Sequence, residues 1–323
     1  MLVVFFCSTA VLLFIVLTNG GTSKMMEKSK NERFLSALYP LPQSVRGVLA
    51  GLRPEVQKSV QEIRLRAEKP LMLTVGGAPM WVNLQGGVSY MPQSPIIITA
   101  KQLEDTFLNL CNHSVYSHTE EIKQGFIIMH GGHRAGICGT SVPEGIRDVS
   151  SINIRIAREI TGCADSLLGR MGDRGVLIAG PPGSGKTTIL RDAVRQLSGV
   201  RRQRVAVIDC RGEIAAVRLA VPQNDVGENT DVITGIGKRE GIEMAVRTMC
   251  PQIVAFDEIG SVAEVDEVIR SLHSGVRVIT TAHVGREEEL YRREVTAKLI
   301  DSGVISCVAL LSTAGGEIKF IEV

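Results

Sequence analysis

The sequence has few aromatic side chains, and their scarcity argues against one large class of partner. Only 4% of the 323 residues are Phe, Trp or Tyr, and three of the 8 Phe lie within the first 14 residues. From residue 151 to the end, the chain holds only Phe256, Tyr291 and Phe320. Proteins that hold single-stranded nucleic acid usually stack its bases on aromatic side chains. We therefore expect no nucleic-acid partner.

The sequence also lacks an excess of charge of either sign, and it lacks paired cysteines. Lys and Arg total 36 and Asp and Glu total 34, which gives a net charge of +2 and excludes a strongly basic nucleic-acid binder. The 7 cysteines are scattered with no Cys-x-x-Cys pair, so neither a disulfide framework nor a cysteine-rich zinc site is expected. A length of 323 residues is enough for about two domains.

A long hydrophobic run covers Leu2–Leu17, and three lysines follow it by residue 30. Three interpretations of this apolar leader, residues 1–24, stand side by side. A signal peptide would carry positive side chains before the apolar run, which this chain does not. A membrane anchor usually needs about 20 apolar residues, so the run Leu2–Leu17 is of marginal length. If it did insert, the lysines that follow would keep the rest of the chain cytoplasmic. In the interpretation that we favour, the functional chain begins near Met25 or Met26 and the leader is an upstream extension.

Residues 25–165 mix the patterns of helix and strand, and we expect them to form an α+β domain. Polar and apolar side chains alternate in Glu62–Arg66, which is typical of a strand with one buried face. The other expected elements are a strand over Leu71–Val75, a helix over Ala100–Asn112, and a hairpin made by Gly125–Met129 and Ala135–Gly139.

From residue 166 to 323, short apolar strands alternate with helices. Such alternation is typical of an α/β domain with a parallel sheet and helices on both faces. The stretch from Gly212 to Arg239 is rich in Gly, Asn, Asp and Thr, and we expect a long functional loop there. The expected strands are Gly175–Ala179, Arg204–Asp209, Gln252–Asp257, Val276–Thr281, Ser306–Leu311 and, at the sheet edge, Ile318–Val323.

A phosphate-binding loop follows the first of these strands. The sequence from Gly180 to Thr187 fits G-x-x-x-x-G-K-[ST], and a helix is expected to start near Lys186. Glycines let the backbone pass close to phosphate groups, and the N–H groups at a helix N-terminus bind the anion. Lys186 is expected to reach the β- and γ-phosphates of ATP, and the Thr187 hydroxyl to ligate Mg²⁺. The expected nucleotide-binding residues are Gly180, Pro181, Pro182, Gly183, Ser184, Gly185, Lys186, Thr187 and Thr188.

Two carboxylates end a later buried strand. After a phosphate-binding loop, Asp257 is expected to complete the coordination of Mg²⁺, and Glu258 to orient or deprotonate the attacking water. A second acidic pair, Asp209 and Glu213, lies at the carboxyl end of another predicted strand, where α/β sheets bind ligands. Glu213 is the second candidate for activating water, and a solvated turn is the alternative for this pair.

Three further side chains are candidates for contacts with the nucleotide. His283 ends the segment Thr280–His283, where a polar group senses the γ-phosphate or merely caps the following turn. Arg155 and Arg158 precede the predicted nucleotide-binding domain. They are candidate arginine fingers that act across a subunit interface, with surface charge as the alternative.

These motifs together resemble the secretion-ATPase superfamily of type II and type IV systems, and within it the stage III sporulation AA family of endospore-forming bacteria. The resemblance runs from about Gln61 to the C-terminus. The motifs that carry it are Glu62–Arg66, Gly131–Gly136, the phosphate-binding loop, Asp209–Glu213, Val221–Gly227 and Phe256–Gly260. The chain departs from the superfamily at Asp257, where secretion ATPases commonly have glycine, so we expect magnesium coordination nearer to that of other P-loop enzymes.

The resemblance implies a RecA-like P-loop ATPase domain behind a smaller N-terminal domain. Within the implied ATPase domain, the segment Asp209–Glu213 resembles the family's aspartate box. The segment Thr281–His283 resembles the family's histidine box. It also implies a homo-hexamer that uses ATP and Mg²⁺ to do mechanical work on membrane-embedded sporulation channel proteins. Such a protein would be cytoplasmic and peripheral at the inner, mother-cell membrane, or anchored there by residues 1–24. The alternatives are a RecA-like ATPase that translocates nucleic acid and a nucleotide-gated scaffold with little turnover.

Overall fold

The structure, a computed structural model, describes residues 31–142, 145–273, 275–312 and 317–323. The expected leader, residues 1–24, lies outside these ranges. The chain divides into two compact units, Met1–Arg158 and Glu159–Val323, and each contains a seven-stranded sheet. Within the described ranges, no helix has both the length and the apolar composition needed to cross a bilayer.

The first unit contains an antiparallel sheet with one buried face. The strands of this unit are β1 (Val60–Arg66), β2 (Lys69–Pro70), β3 (Met72–Val75), β4 (Ala78–Val82), β5 (Val88–Ser89), β6 (Ile97–Ile98), β7 (Phe126–Ile128), β8 (Arg134–Val142) and β9 (Gly145–Arg155). The sheet order is β5-β4-β3-β1-β9-β8-β7, and every pair is antiparallel. In β1 the fully buried Ile63 and Leu65 alternate with half-buried polar residues, because successive side chains point to opposite faces.

Helices cover the buried face of this sheet. They are a helical segment over residues 31–37, α1 (Gln43–Ala50), α2 (Pro54–Ser59), α3 (Ala100–Leu110) and α4 (Thr119–Lys123), with 3₁₀ turns at Val115–His118 and His130–Gly132. A capping box starts α3, because Thr99 Oγ1 accepts the Gln102 N–H at 3.1 Å and Gln102 Oε1 accepts the Thr99 N–H at 3.0 Å. The expected helix and the expected hairpin, now β7 and β8, are both confirmed.

The second unit contains a mainly parallel sheet. Its strands are β10 (Gly175–Gly180), β11 (Val205–Ile208), β12 (Val217–Arg218), β13 (Val221–Pro222), β14 (Thr230–Ile233), β15 (Ile253–Phe256), β16 (Arg277–His283), β17 (Ile305–Leu311) and β18 (Ile318–Glu322). The sheet order is β14-β11-β15-β16-β10-β17-β18, with parallel pairs throughout except for β17 and β18. The six expected strands are confirmed to within two residues at each end.

Helices pack on both faces of this second sheet, as the sequence predicts. They are α5 (Asp165–Leu168), α6 (Lys186–Arg195) with a π-helical turn at Gln196–Val200, α7 (Lys238–Met249), α8 (Val262–His273), α9 (Glu287–Arg292) and α10 (Glu294–Asp301). In β10, Leu177 and Ala179 belong to one buried apolar cluster, with residues of α7, α8 and α10. Val176 and Ile178 belong to a second cluster, with residues of α6. Successive residues of a central strand are therefore buried on opposite sides, which makes the whole strand apolar.

The expected long loop over residues 212–239 is a partly wrong prediction. This stretch contains the short hairpin of β12 and β13, the edge strand β14, and Lys238 as the first residue of α7. Among the strands that the structure describes, this edge strand pairs with β11 alone, and none of its four residues is fully buried. Its polar composition therefore resembles that of a loop, although its backbone completes the sheet.

The division between the units lies between Arg158 and Glu159, several residues before the expected boundary at 165. Ala164 is fully buried in the apolar cluster that contains α6. Its N–H donates to Asp192 Oδ2 at 2.9 Å. The segment before α5 is thus already fastened to the second unit.

Gly175→Ala is expected to destabilise the second unit, because β10 starts in close contact with both of its neighbours. A Cβ on Gly175 would lie 2.5 Å from the backbone oxygen of Val278 and 3.0 Å from that of Val304. We expect the free energy of unfolding to fall by about 1–3 kcal/mol, as for other overpacked sites. Gly172→Ala is the matched control, since nothing lies within 4 Å of its new Cβ. Urea unfolding followed by circular dichroism measures both, and equal transition midpoints would contradict the prediction.

Candidate active site

The phosphate-binding loop connects the end of β10 at Gly180 to the start of α6 at Lys186. Gly183 and Gly185 have φ angles of +74° and +96°, which residues with a Cβ rarely adopt. A Cβ on Gly180 would lie 2.6 Å from Ser184 Oγ and 2.9 Å from the backbone oxygen at the end of β17. The buried Ser184 hydroxyl has no hydrogen-bond partner within the described ranges. The expected order of strand, loop and helix is confirmed, and the loop fits a phosphate group. Pro181 and Pro182 lie in the loop, and Thr188 lies in the first turn of α6.

Lys186 is held at this loop by neutral oxygen atoms. Its Nζ donates to the backbone oxygens of Gly180 at 2.9 Å and Pro181 at 2.8 Å, and lies 3.1 Å from Nδ1 of His283. Only 6% of Lys186 is exposed. Burial lowers the pKa of this ammonium group, although two nearby carboxylates act in the opposite direction. An incoming anion would offer this buried cation a better partner than the carbonyl oxygens do.

Asp257 joins the start of α6 to the ends of β15 and β16. Its Oδ2 accepts a hydrogen bond from Thr187 Oγ1 at 2.8 Å. Its Oδ1 accepts another from the fully buried Thr281 hydroxyl. A hydroxyl and a carboxylate are oxygen ligands of the kind that Mg²⁺ prefers. Thr187 and Asp257, the metal ligands expected from the sequence, therefore lie together and fit the ion.

Glu258 is held on its backbone and on its side chain. It has a left-handed φ of +55°; its N–H donates to Thr281 Oγ1 at 2.8 Å, and its carbonyl oxygen accepts from Lys238 Nζ. Its carboxylate lies between two cationic or donor groups, with Oε2 2.5 Å from Arg211 Nη1 and Oε1 3.8 Å from His283 Nε2. The strand ends and the start of α7 therefore fix the position of this candidate for activating water.

Asp209 is a structural anchor. Only 3% of it is exposed, and its carboxylate accepts four backbone N–H groups. Oδ1 accepts those of Glu213 at 2.9 Å and Ile214 at 3.2 Å, and Oδ2 those of Ala215 at 2.8 Å and Ala216 at 3.2 Å. A carboxylate offers about four lone-pair directions, so these bonds occupy Asp209 fully. The solvated turn considered for this segment is thus wrong, because the turn is folded around a buried charge.

Glu213 and Glu258, the two candidates for activating water, line one small cleft. Arg211, Lys238 and Asp257 also line it. The anchor at Asp209 fixes the backbone of Glu213, since it accepts the Glu213 N–H. The structure brings both candidates next to the carboxylate expected to hold the metal, and the choice between them stays a prediction.

The two candidate arginine fingers both belong to the first unit. Arg155 is the last residue of β9, its side chain is 66% exposed, and its Nε lies 3.7 Å from Glu62 Oε1. Arg158 donates to the backbone oxygens of Lys58 at 3.2 Å and Val60 at 3.0 Å, so it fastens the end of the unit to the junction of α2 and β1. The role of either residue as a finger stays a prediction.

Sequence reasoning missed two residues of the cleft, Arg211 and Lys238. Arg211 lies between the two acidic residues of a segment that the sequence does single out. Lys238 is the first residue of α7, but the sequence pattern assigned residues 212–239 to a loop and so did not predict that helix start. For Arg211, the sequence did offer one signal, namely a cationic residue close to the predicted site residues Asp209 and Glu213.

Known proteins resemble this chain in sequence and in fold. A model of the family described as sporulation stage III, protein AA, matches residues 29–321. The chain belongs to this family. It is 33% identical to the stage III sporulation protein AA of Bacillus subtilis over 288 residues, which cover 85% of this chain and 90% of that protein. The Arabidopsis thaliana protein SEEDLING PLASTID DEVELOPMENT 1 is 28% identical over 138 residues, which are 42% of this chain and 20% of that protein.

Two solved structures share the fold of this sporulation family member. The ATPase DotB of Legionella pneumophila superimposes with a TM-score of 0.50 and 13% identity, over 78% of this chain and 72% of that one. The pilus retraction motor PilT, solved with bound ADP, superimposes with a TM-score of 0.51 and 16% identity, over 78% of this chain and 74% of that one. The expected RecA-like α/β architecture is confirmed, since the chain shares its fold with an ATPase and with a pilus retraction motor.

Asp209→Asn is expected to loosen the turn that carries Glu213. The amide offers one acceptor oxygen where the carboxylate has two, so at least two of the four N–H groups lose their partner. We expect amide hydrogen exchange in residues 213–216 to become at least about tenfold faster. Asp225→Asn is the control, because the Asp225 carboxylate accepts the single N–H of Gly227 in an exposed turn. Unchanged protection in the Asp209 variant, measured by mass spectrometry, would contradict the role as an anchor.

Proposed function

We propose that this protein is a Mg²⁺-dependent ATPase of the secretion-motor type that does mechanical work on a membrane channel complex during endospore formation. The single observation that carries the proposal is the 2.8 Å hydrogen bond between Thr187 Oγ1 and Asp257 Oδ2. It joins residues that are 70 positions apart in the sequence into one pair of metal ligands beside the phosphate-binding loop. Neither a chance glycine-rich loop nor an ordinary acidic strand end requires that pairing.

The loop residues would bind the phosphates of ATP. The N–H groups from Gly183 to Thr188 would donate to the phosphates, and Lys186 would exchange its two carbonyl acceptors for phosphate oxygens. Thr187 and Asp257 would hold Mg²⁺, which supplies positive charge where the phosphates carry negative charge. These contacts preorganise the substrate, which is the main contribution of a protein to phosphoryl transfer.

Glu258 is proposed to orient the attacking water and accept its proton. It follows the metal ligand Asp257 directly, and both line the cleft. His283 lies between Lys186 and Glu258, at 3.1 Å from the Nζ of the first and 3.8 Å from Oε1 of the second. It is placed to respond to a change at either group, so it is the proposed sensor of the γ-phosphate.

We further propose that the working form is a homo-hexamer, cytoplasmic and peripheral at the inner, mother-cell membrane. Arg155 and Arg158 would act as arginine fingers on the nucleotide of a neighbouring subunit. Membership of a family named for sporulation and a fold shared with a pilus retraction motor support a protein-directed motor. A nucleic-acid motor would need cations that are available to a phosphate backbone. It has less support, because the adjacent cations at the start of α7 already have partners: Lys238 binds the Glu258 carbonyl oxygen, and Arg239 lies 3.9 Å from Glu267 Oε2.

Lys186→Ala is expected to abolish ATP hydrolysis, with a fall in kcat of about 100-fold or more, because the variant loses the charge that preorganises the phosphates. Release of phosphate from saturating ATP measures it. Lys298→Ala is the control, since Lys298 instead pairs with Asp266 at 2.6 Å and should leave turnover unchanged. Turnover that survives in the Lys186 variant would overturn the assignment as a P-loop ATPase.

A wild-type protein that binds ATP with little turnover would instead indicate the nucleotide-gated scaffold.

Glu258→Gln is expected to hold ATP without hydrolysing it and so to retain the assembly on its partner. A general base contributes about 100-fold to 10,000-fold to a rate, so the bound state should persist long enough for capture. Affinity purification from sporulating cells, with Lys186→Ala as the control, identifies the partner. We expect membrane-embedded channel proteins to be enriched with the Glu258 variant only. Enrichment of nucleic acid, or hydrolysis that single-stranded DNA stimulates with a steep salt dependence, would contradict a protein-directed motor.

A further inference from the structure

Arg211 forms an ion pair with the carboxylate of Glu258. Nη1 of Arg211 lies 2.5 Å from Oε2 of Glu258, although the two residues are 47 positions apart in the sequence. The Arg211 side chain is 61% exposed and that of Glu258 is 31% exposed. A guanidinium group so exposed gains little stability from an ion pair, so the contact has small value for the fold.

The backbone that carries Arg211 is fixed by the two residues that precede it. Two residues before it, the Asp209 carboxylate is occupied by four N–H groups of the following turn. Directly before it, Cys210 Sγ donates to the backbone oxygen of Ile236 at 3.2 Å, and burial raises the pKa of this thiol, which keeps it a neutral donor. Hydrogen bonds therefore fix the backbone from which the Arg211 side chain extends, at the carboxyl end of β11.

The backbone of Glu258 is fixed without Arg211, whereas the position of its carboxylate depends on Arg211. Thr281 accepts the Glu258 N–H, and Lys238 donates to the Glu258 carbonyl oxygen. The side chain adds three rotatable bonds beyond that backbone, and His283 approaches one oxygen only to 3.8 Å. Arg211 is the group that holds the other oxygen at hydrogen-bond distance.

We propose that Arg211 is a positioning residue that fixes the carboxylate of Glu258 for its work on the attacking water. The inference rests on the proposed function, and it adds a residue that acts through Glu258 without touching the nucleotide. Because β11 and β15 are neighbours in the sheet, Arg211 after the end of β11 lies close enough to align the side chain of Glu258 after the end of β15. A misplaced base lowers the rate of the chemical step and leaves substrate binding unaffected.

The test compares wild type, Arg211→Ala, Glu258→Gln and the double variant. Single-turnover hydrolysis of radiolabelled ATP over hours gives the rates, and a fluorescent, non-hydrolysable ATP analogue gives equilibrium binding. We expect Arg211→Ala to lower the rate by about tenfold to a hundredfold while the dissociation constant stays within about twofold. Arg211→Lys, which keeps the charge but loses the planar fork, should recover part of the rate.

The double variant separates a positioning role from a direct one. If Arg211 acts through Glu258, its removal should not lower the residual rate of Glu258→Gln any further. A further loss of the same factor, or analogue binding weakened by that factor, would show that Arg211 contacts phosphate and would overturn the inference. A single variant as fast as wild type would overturn it as well.

Arg270→Ala is the matched control. Arg270 is 58% exposed and pairs with Glu267 on α8, so it reproduces the exposure and the pairing of Arg211 outside the cleft. It should hydrolyse ATP as wild type does. Wild-type protein without any turnover would overturn the proposed function itself, a result distinct from any in which only the Arg211 variants depart from expectation.

Discussion

The hydrogen bonds of Asp257 to Thr187 and Thr281 are the contacts on which the rest of the site depends. They connect the first turn of α6 with the ends of β15 and β16. In the sheet order β15-β16-β10, the strand that carries Thr281 lies between the strand before Asp257 and the strand before the phosphate-binding loop. Parallel strands place their carboxyl ends at one edge, so this order alone brings the three side chains together.

The same constraint accounts for the unusual backbone at Glu258. A left-handed conformation in a residue other than glycine costs about 1–3 kcal/mol and persists only where several contacts impose it. Here the Thr281 hydroxyl accepts the N–H and Lys238 binds the carbonyl oxygen. Thr281 thus acts twice, since the one hydroxyl donates to Asp257 and accepts from Glu258. The strain lies at the residue proposed to activate water, where a fixed direction of the side chain matters most.

The features that sequence reasoning predicted are local ones. The phosphate-binding loop, the apolar strands and the acidic end of β15 each occupy a few consecutive residues, and their patterns reflect burial on both faces of the sheet. The features that it missed depend on contacts between distant segments. Arg211 meets Glu258 across 47 positions, and Lys238 meets it across 20. The edge strand β14 escaped notice because a strand with one neighbour and half-buried side chains has no strong apolar pattern.

The partners of Arg211, Lys238 and Lys186 explain why Lys186 is better suited than the other two to bind phosphate. Arg211 already pairs with a carboxylate, so a phosphate oxygen would replace one anion by another. Lys238 contacts the Glu258 carbonyl oxygen and lies 4.0 Å from Glu264 Oε1, which partly offsets its charge. Lys186 donates to two carbonyl oxygens at the loop and lies 3.1 Å from Nδ1 of His283, and its burial disfavours the charged form. An anion at the loop therefore gains most at Lys186, where it replaces neutral acceptors and relieves the cost of a buried charge.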